Sequence, residues 1–261
     1  MSTPNPYAAP RAAVADAVSP QQGDFVPGGR GVAAGNGWAW IAQAWDLFKR
    51  QPGMWIALVV VLVVISVVAA FIPVVGSIAM MVLFPVFTGG LMIGCRALAE
   101  GGELEFGHLF AGFRERVGAL AAVGGLYLAA TLLIALVVGL VTGVGMLAMM
   151  SGGGPTDPAA AAGALAGMAL AALVMMALMI PVAMAVWFAA PLVVFHERGA
   201  LEAMKESFIG CLKNIVPFLL YGVILLVLSI LASIPLALGW LVLGPVMAAS
   251  LYTAYRDIYF R

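Results

Sequence analysis

The sequence predicts an all-α fold, a polytopic integral membrane protein. Six transmembrane helices are expected in three repeated hairpin units, each unit preceded by a cytoplasmic amphipathic helix. Three observations predict this. Hydrophobic residues make up 64% of the 261-residue chain and charged residues 9%, against about 45–50% and about 25% in soluble domains. Mean hydropathy is +1.11, and a crossing needs ~20 apolar residues, so about six crossings fit the length. Finally, one unit recurs. An amphipathic segment ending at Phe48 leads to two apolar runs, with Pro85 inside the second; Phe208 and Pro245 repeat the pattern at the same spacing of 37 residues. A longer copy runs from Phe113 to Pro191.

Residues 1–36 are rich in Pro, Ala and Gly and lack the apolar core of a signal peptide. They hold too little apolar surface to offset ordering entropy, so a disordered cytoplasmic tail is expected, followed by a six-helix transmembrane domain over 37–261. Trp38, Ile41, Trp45 and Phe48 fall at i, i+3, i+7 and i+10, one face of a helix over 37–50. Indole rings on that face suit the headgroup boundary. Pro52-Gly53 ends it.

Residues 54–71 carry no charge and would span about 27 Å as a helix. The chain turns at Ile72-Pro73 without a charge and returns over 78–95. Pro85 removes a backbone hydrogen bond there and should kink the helix. Gly90 and Gly94 form a small-xxx-small pair that admits close helix packing. Phe106, Leu109, Phe110, Phe113 and Val117 then make a second amphipathic stripe, on the membrane surface or tucked beneath the bundle.

Residues 117–150 form one uncharged stretch, with a crossing expected over 120–142 and Gly139 and Gly143 as another packing pair. The segment 151–158 reads as a loop, with Asp157 capping the next helix. The fourth crossing is expected over 171–191. Leu201, Met204, Phe208 and Leu212 make the third amphipathic stripe, and residues 215–232 and 236–255 the last two crossings.

All 12 Lys and Arg residues fall in the N-terminal segment, the second and fourth connections, and the C-terminus. With six crossings these four regions share one side. Cytoplasmic connections carry the Lys/Arg excess, so both termini are expected in the cytoplasm of a bacterium, with the chain in its inner membrane.

No acid or base lies inside an expected crossing, where a charge costs about 2.5–3.5 kcal/mol on insertion scales and marks an ion pathway. This disfavours a carrier coupled through intramembrane carboxylates. The two histidines, His108 and His196, stand apart, and His196-Glu197-Arg198 lacks the second histidine of a zinc-protease helix. The methionines between Met146 and Met184 interchange with Ala and Val as packing residues do. Cys95 and Cys211 sit at run ends in a reducing compartment, where disulfides are rare. No catalytic, cofactor or metal residue is assigned. Zero net charge gives no reason to expect a nucleic-acid partner. Pro85, Pro191 and Pro245 are the residues on which a cavity or hinge would be built, since interrupted helices in repeats often frame a substrate site.

The segments AWDLFKRQPGMW, FPVFTGGL, GELEFGHLFAGF and PLVVFHERGALEAMKESF resemble those of uncharacterised bacterial six-helix inner-membrane proteins. They are similar to YciC-like proteins and to the membrane domain attached to some glycerophosphoryl diester phosphodiesterases. The resemblance covers residues 37–261 and implies the same membrane architecture. It transfers no catalytic residue, because the phosphodiesterase site lies in a separate soluble domain. The expectation is a non-enzymatic inner-membrane protein acting through membrane lipids or through a protein partner on the cytoplasmic amphipathic helices. The alternative is a carrier or flippase for an apolar or lipid-like solute, using a cavity between the repeated helix pairs.

Overall fold

In the computed structural model, residues 23–152 and 158–261 are described, and every element longer than an isolated β-bridge among them is helical. Of the loop expected over 151–158, residues 153–157, with Asp157, lie outside them, as do residues 1–22 of the expected tail; Ser151 and Gly152 close a helix and Pro158 opens the next. In chain order the helices are α1 (Asn36–Arg50), α2 (Pro52–Ala70), α3 (Val75–Ala99), α4 (Ala111–Glu115), α5 (Val117–Gly152), α6 (Pro158–Trp187), α7 (Ala189–His196), α8 (Ala200–Lys213), α9 (Ile215–Ser233) and α10 (Trp240–Tyr259). A 3-10 turn, Phe106–Phe110, precedes α4.

Among the described residues, five stretches are long and apolar enough to cross a membrane: Pro52–Ala70, Val75–Ala99, Val117–Leu140, Leu165–His196 and Ile215–Ser233. Their side chains are largely exposed, the reverse of a soluble core, so this is a helical membrane protein whose solvent is lipid. The expectation was six. The helix α10 falls short because its second half carries the buried Tyr252, Thr253 and Tyr255 and the half-buried Arg256 and Asp257, which lower its hydropathy.

The amphipathic helices bury faces rotated from their expected apolar stripes, which are only partly inward. In α1 the buried side is Trp40, Ile41, Ala44, Leu47 and Phe48. Trp38 and Trp45 are 58% and 44% exposed. The inward face follows Gly37, whose Cα lies so close to α9 that a Cβ would meet the Pro217 carbonyl oxygen. In α8 the buried residues are Ala203, Ser207, Gly210 and Cys211, while Leu201 and Leu212 point outward. Small residues win the inner face because the contact is tight: a Cβ on Gly210 would strike the Tyr259 ring. The outward stripes are left for the membrane boundary. The second amphipathic segment is a 3-10 turn and a one-turn helix rather than one helix, tucked against α3 with Leu109 fully buried.

Residues 23–35, expected as free tail, are instead an ordered strap across the end of α10. The Val26 and Arg30 amides donate to the Tyr259 and Ile258 carbonyls at 2.8 and 2.9 Å. Asp257 holds the strap and α1 together: Arg30 Nη2 lies 3.2 Å from Oδ1, and Asn36 Nδ2 and Trp40 Nε1 donate to Oδ2 at 2.7 and 2.8 Å. Buried Asn214 accepts from the Val32 amide and donates to the Arg30 carbonyl, both at 2.8 Å. The Lys213 ammonium reaches the Gly28 and Gly29 carbonyls at 3.1 and 2.7 Å. These polar partners are scattered over 180 residues of sequence, so composition alone reads the strap as spacer.

The third copy of the repeat is interrupted. Pro191 has no N–H for the Trp187 carbonyl, and the helix breaks at Phe188 between α6 and α7. Ser207 of α8 mends the ladder. Its hydroxyl accepts from the Phe188 amide at 2.9 Å and donates to the Met184 carbonyl at 2.6 Å. Those two groups would bond each other in an unbroken helix.

Candidate functional site: an apolar cavity in the helix bundle

A cavity of about 900 Å³ lies among α2, α3, α6, α9 and α10, with Tyr127 of α5 and Ala190 of α7 also at its wall. Small-molecule sites range over about 300–1,000 Å³, so it is large enough for a ligand. No charged side chain lines it. Ser66 and Thr88, which do, turn their hydroxyls back onto the Leu62 and Phe84 carbonyls of their own helices at 2.8 and 2.9 Å. What faces the space is therefore chiefly hydrocarbon, from residues such as Leu62, Met80, Phe87, Met247 and Leu251. The wall extends along α3 from Gly76 to Met92, about 24 Å of helix at 1.5 Å per residue. At its floor the Tyr221 hydroxyl and Ser250 Oγ are paired at 2.7 Å and buried. Trp187 stands edge-on to Phe218 and Tyr221, with ring centroids 5.9 and 6.3 Å away, between α6 and α9.

The three prolines are not brought together here. Pro85 lines the cavity. Pro245 is buried in α10 one residue beyond Gly244, which does line it, and Pro191 is buried in α7. Gly90 and Gly94 pack closely, but against the connection after α3: a Cβ on Gly90 would meet the His108 carbonyl, and one on Gly94 the Leu104 side chain. Gly139 and Gly143 have nothing within 4 Å of a built Cβ. The close backbone approaches in the bundle fall at Gly112 and Gly124, against the Val86 and Val82 carbonyls of α3. Each stands without a partner glycine four residues away, so no small-xxx-small pattern marks it.

A second polar centre lies at the end of the bundle bearing the basic residues. His196 stacks on Phe25 of the strap at 3.6 Å, and its Nε2 lies 2.6 Å from the Tyr255 hydroxyl. Arg198 bridges Glu202 and Glu206 at 2.7 and 3.3 Å. Burial pushes the Glu206 carboxyl up from its ordinary range, opposed by the Arg198 charge. The Tyr259 hydroxyl donates to the Glu206 carbonyl. These contacts fasten strap, α8 and α10 together. The cysteines are free and buried, and burial pushes the Cys211 thiol up to about 12, well away from a reactive thiolate.

No protein-family model matches the chain, and no solved structure matches it. It is similar to a protein of Burkholderia thailandensis named a probable inner membrane protein. The two are 29% identical over 210 residues, which cover 79% of this chain and 78% of that relative.

Proposed function

We propose that this chain is a non-enzymatic integral protein of the bacterial inner membrane that acts by binding a lipid-like or apolar molecule within its helix bundle. The observation that carries the proposal is the uncharged cavity of about 900 Å³, set among helices whose outer faces are themselves apolar. A void of that size in a hydrocarbon surrounding gains dispersion contacts when a chain fills it. The relative's name supports the compartment. The resemblance of the polar connections to YciC-like proteins, and to the membrane domain of some glycerophosphoryl diester phosphodiesterases, supports the same architecture.

Six crossings follow if α10 completes the last hairpin, and the strap supports this. Five crossings would leave the two ends of the chain on opposite sides. Yet Phe25 pairs with Phe260, which supports the strap and the end of α10 sharing a side with the basic connections. An excess of positive charge favours the cytoplasm for that side. A reporter enzyme that works only outside the cytoplasm, fused after Arg261, is expected to be silent; an active fusion overturns the orientation.

The binding reading is tested by native mass spectrometry of protein released from lipid nanodiscs. Wild type is expected to retain a lipid-sized adduct, and Ser66→Phe, which fills the cavity from α2, to lose it. An adduct retained equally by both proteins places the lipid elsewhere and contradicts the proposal. The second reading, a carrier or flippase, is favoured by the kink-forming Pro85 in the cavity wall. Solute-dependent flux in proteoliposomes distinguishes it from a holding role.

A further inference from the structure

We infer that the cavity is a dead-ended site for one acyl chain of a membrane lipid, loaded from the leaflet that lies against the turns at residues 71–74 and 234–239. This rests on the lipid-binding reading and adds to it a side and a molecular class. Along α3 the wall is more exposed near the turns than at its far end, with Phe84 an exposed residue between them. Near the turns, Ala70, Ser77 and Trp240 are exposed; deeper, Phe87, Leu91, Met92 and Tyr221 are buried. Beyond them the bundle is filled by Trp55, Leu58, Cys95, Tyr252 and Tyr255, at most 3% exposed. The cavity is therefore open toward the turns, with further exposed wall at Phe84, Ala183 and Trp187, and stops against a packed core beyond Tyr221.

The turns at the mouth have the character of a lipid-facing rim. Neither contains a charge, and Phe71, Val74, Ile234 and Leu236 are among the most exposed apolar side chains of the protein. With 19 residues each, α2 and α9 measure about 28 Å, close to the ~30 Å hydrocarbon core, which puts the rim at the edge of the lipid tails. Both turns also hold non-glycine residues in the left-handed region: Val74 at φ 64°, Leu236 at 51° and Ala237 at 63°. Strain of this kind collects where a segment must hold a ligand or move for it.

The wall decides which part of a lipid goes inside. A headgroup carries charge, and nothing charged lines the cavity to match it. A hydrocarbon chain needs no partner. The headgroup stays at the rim, beside Trp240, whose indole N–H donates to Ser233 Oγ at 3.1 Å. An indole at this depth suits the boundary between tails and headgroups.

The test uses a phospholipid with a photoreactive diazirine on one acyl chain, introduced into a single leaflet of proteoliposomes. The orientation of the protein is first established by protease cleavage of its N-terminal segment. After brief illumination, labelled peptides are mapped by mass spectrometry. Probe in the leaflet against the turns is expected to label residues 76–92 and 240–251 several-fold more than the same probe in the opposite leaflet, and Ser66→Phe is expected to abolish that difference. Labelling of those residues from the opposite leaflet alone, or equally from both, overturns one-sided loading while leaving a lipid site standing. If neither leaflet gives label there, although exposed faces of α5 and α6 are labelled, the lipid-binding reading itself falls.

Discussion

Replacing Ser207 by valine is expected to destabilise the protein by about 1–3 kcal/mol. The hydroxyl is the sole bridge between the Phe188 amide and the Met184 carbonyl at the break between α6 and α7, and the side chain is fully buried. Valine removes both bonds while keeping water out. The Phe188 amide is left without a partner, at a cost of about 1–3 kcal/mol, while the Met184 carbonyl keeps the weak Cys211 thiol contact at 3.6 Å. Alanine removes the same bonds but leaves room for water, so Ser207→Ala should fall between valine and wild type. Thermal unfolding in detergent checks the order. Amide exchange near Phe188 checks the cause, because that amide should become the fastest-exchanging in its neighbourhood. Equal stability of Ser207→Val and wild type would mean that the break closes into a regular helix without α8.

Asp257→Ala is expected to release the strap, with a loss of about 2–4 kcal/mol. Alanine strands the indole N–H of fully buried Trp40 and the amide of Asn36, and leaves Arg30 with only its bond to the Asp257 carbonyl. The buried donor dominates at about 1–3 kcal/mol, while the partly exposed Arg30 pair adds little. Asp257→Asn separates the two contributions. Asn36 and Trp40 share one carboxylate oxygen, so an amide oxygen in that place keeps both bonds and only the Arg30 contact is lost. Hydrogen exchange of the Val26 and Arg30 amides should rise sharply in the alanine variant and slightly in the asparagine one. Unchanged protection in both variants would show that Asn214 and Lys213 suffice to hold the strap.

Helical class, the positions of most breaks and the tuck after α3 were legible in the sequence, because uncharged runs, glycines and prolines act locally. Which face of α1 and α8 turns inward was not. Periodicity finds the largest apolar stripe, and in a soluble protein that stripe goes to the core. In lipid, Trp38, Trp45, Leu201 and Leu212 gain nothing by turning inward, and close packing selects Gly37, Ala203, Ser207 and Gly210 instead. The small-residue rule caught Gly90 and Gly94, but it missed Gly112 and Gly124, which approach a backbone singly. Of the three prolines expected to converge on one cavity, Pro85 lines it and Pro191 and Pro245 do not. Pro191 acts differently, breaking a helix that a serine from another element repairs. A void has no residue of its own, so its size and its closed floor could come only from the packing around it.

The central claim is that the cavity among α2, α3 and α10 holds hydrocarbon. Electron cryomicroscopy of the protein in lipid nanodiscs, rigidified by a bound antibody fragment, measures this most directly. A rod of non-protein density is expected, running inward from the rim at Trp240 and ending above the Tyr221–Ser250 pair. A bundle in which α2 closes onto α10, leaving no space between Ser66 and Ala248, would contradict it.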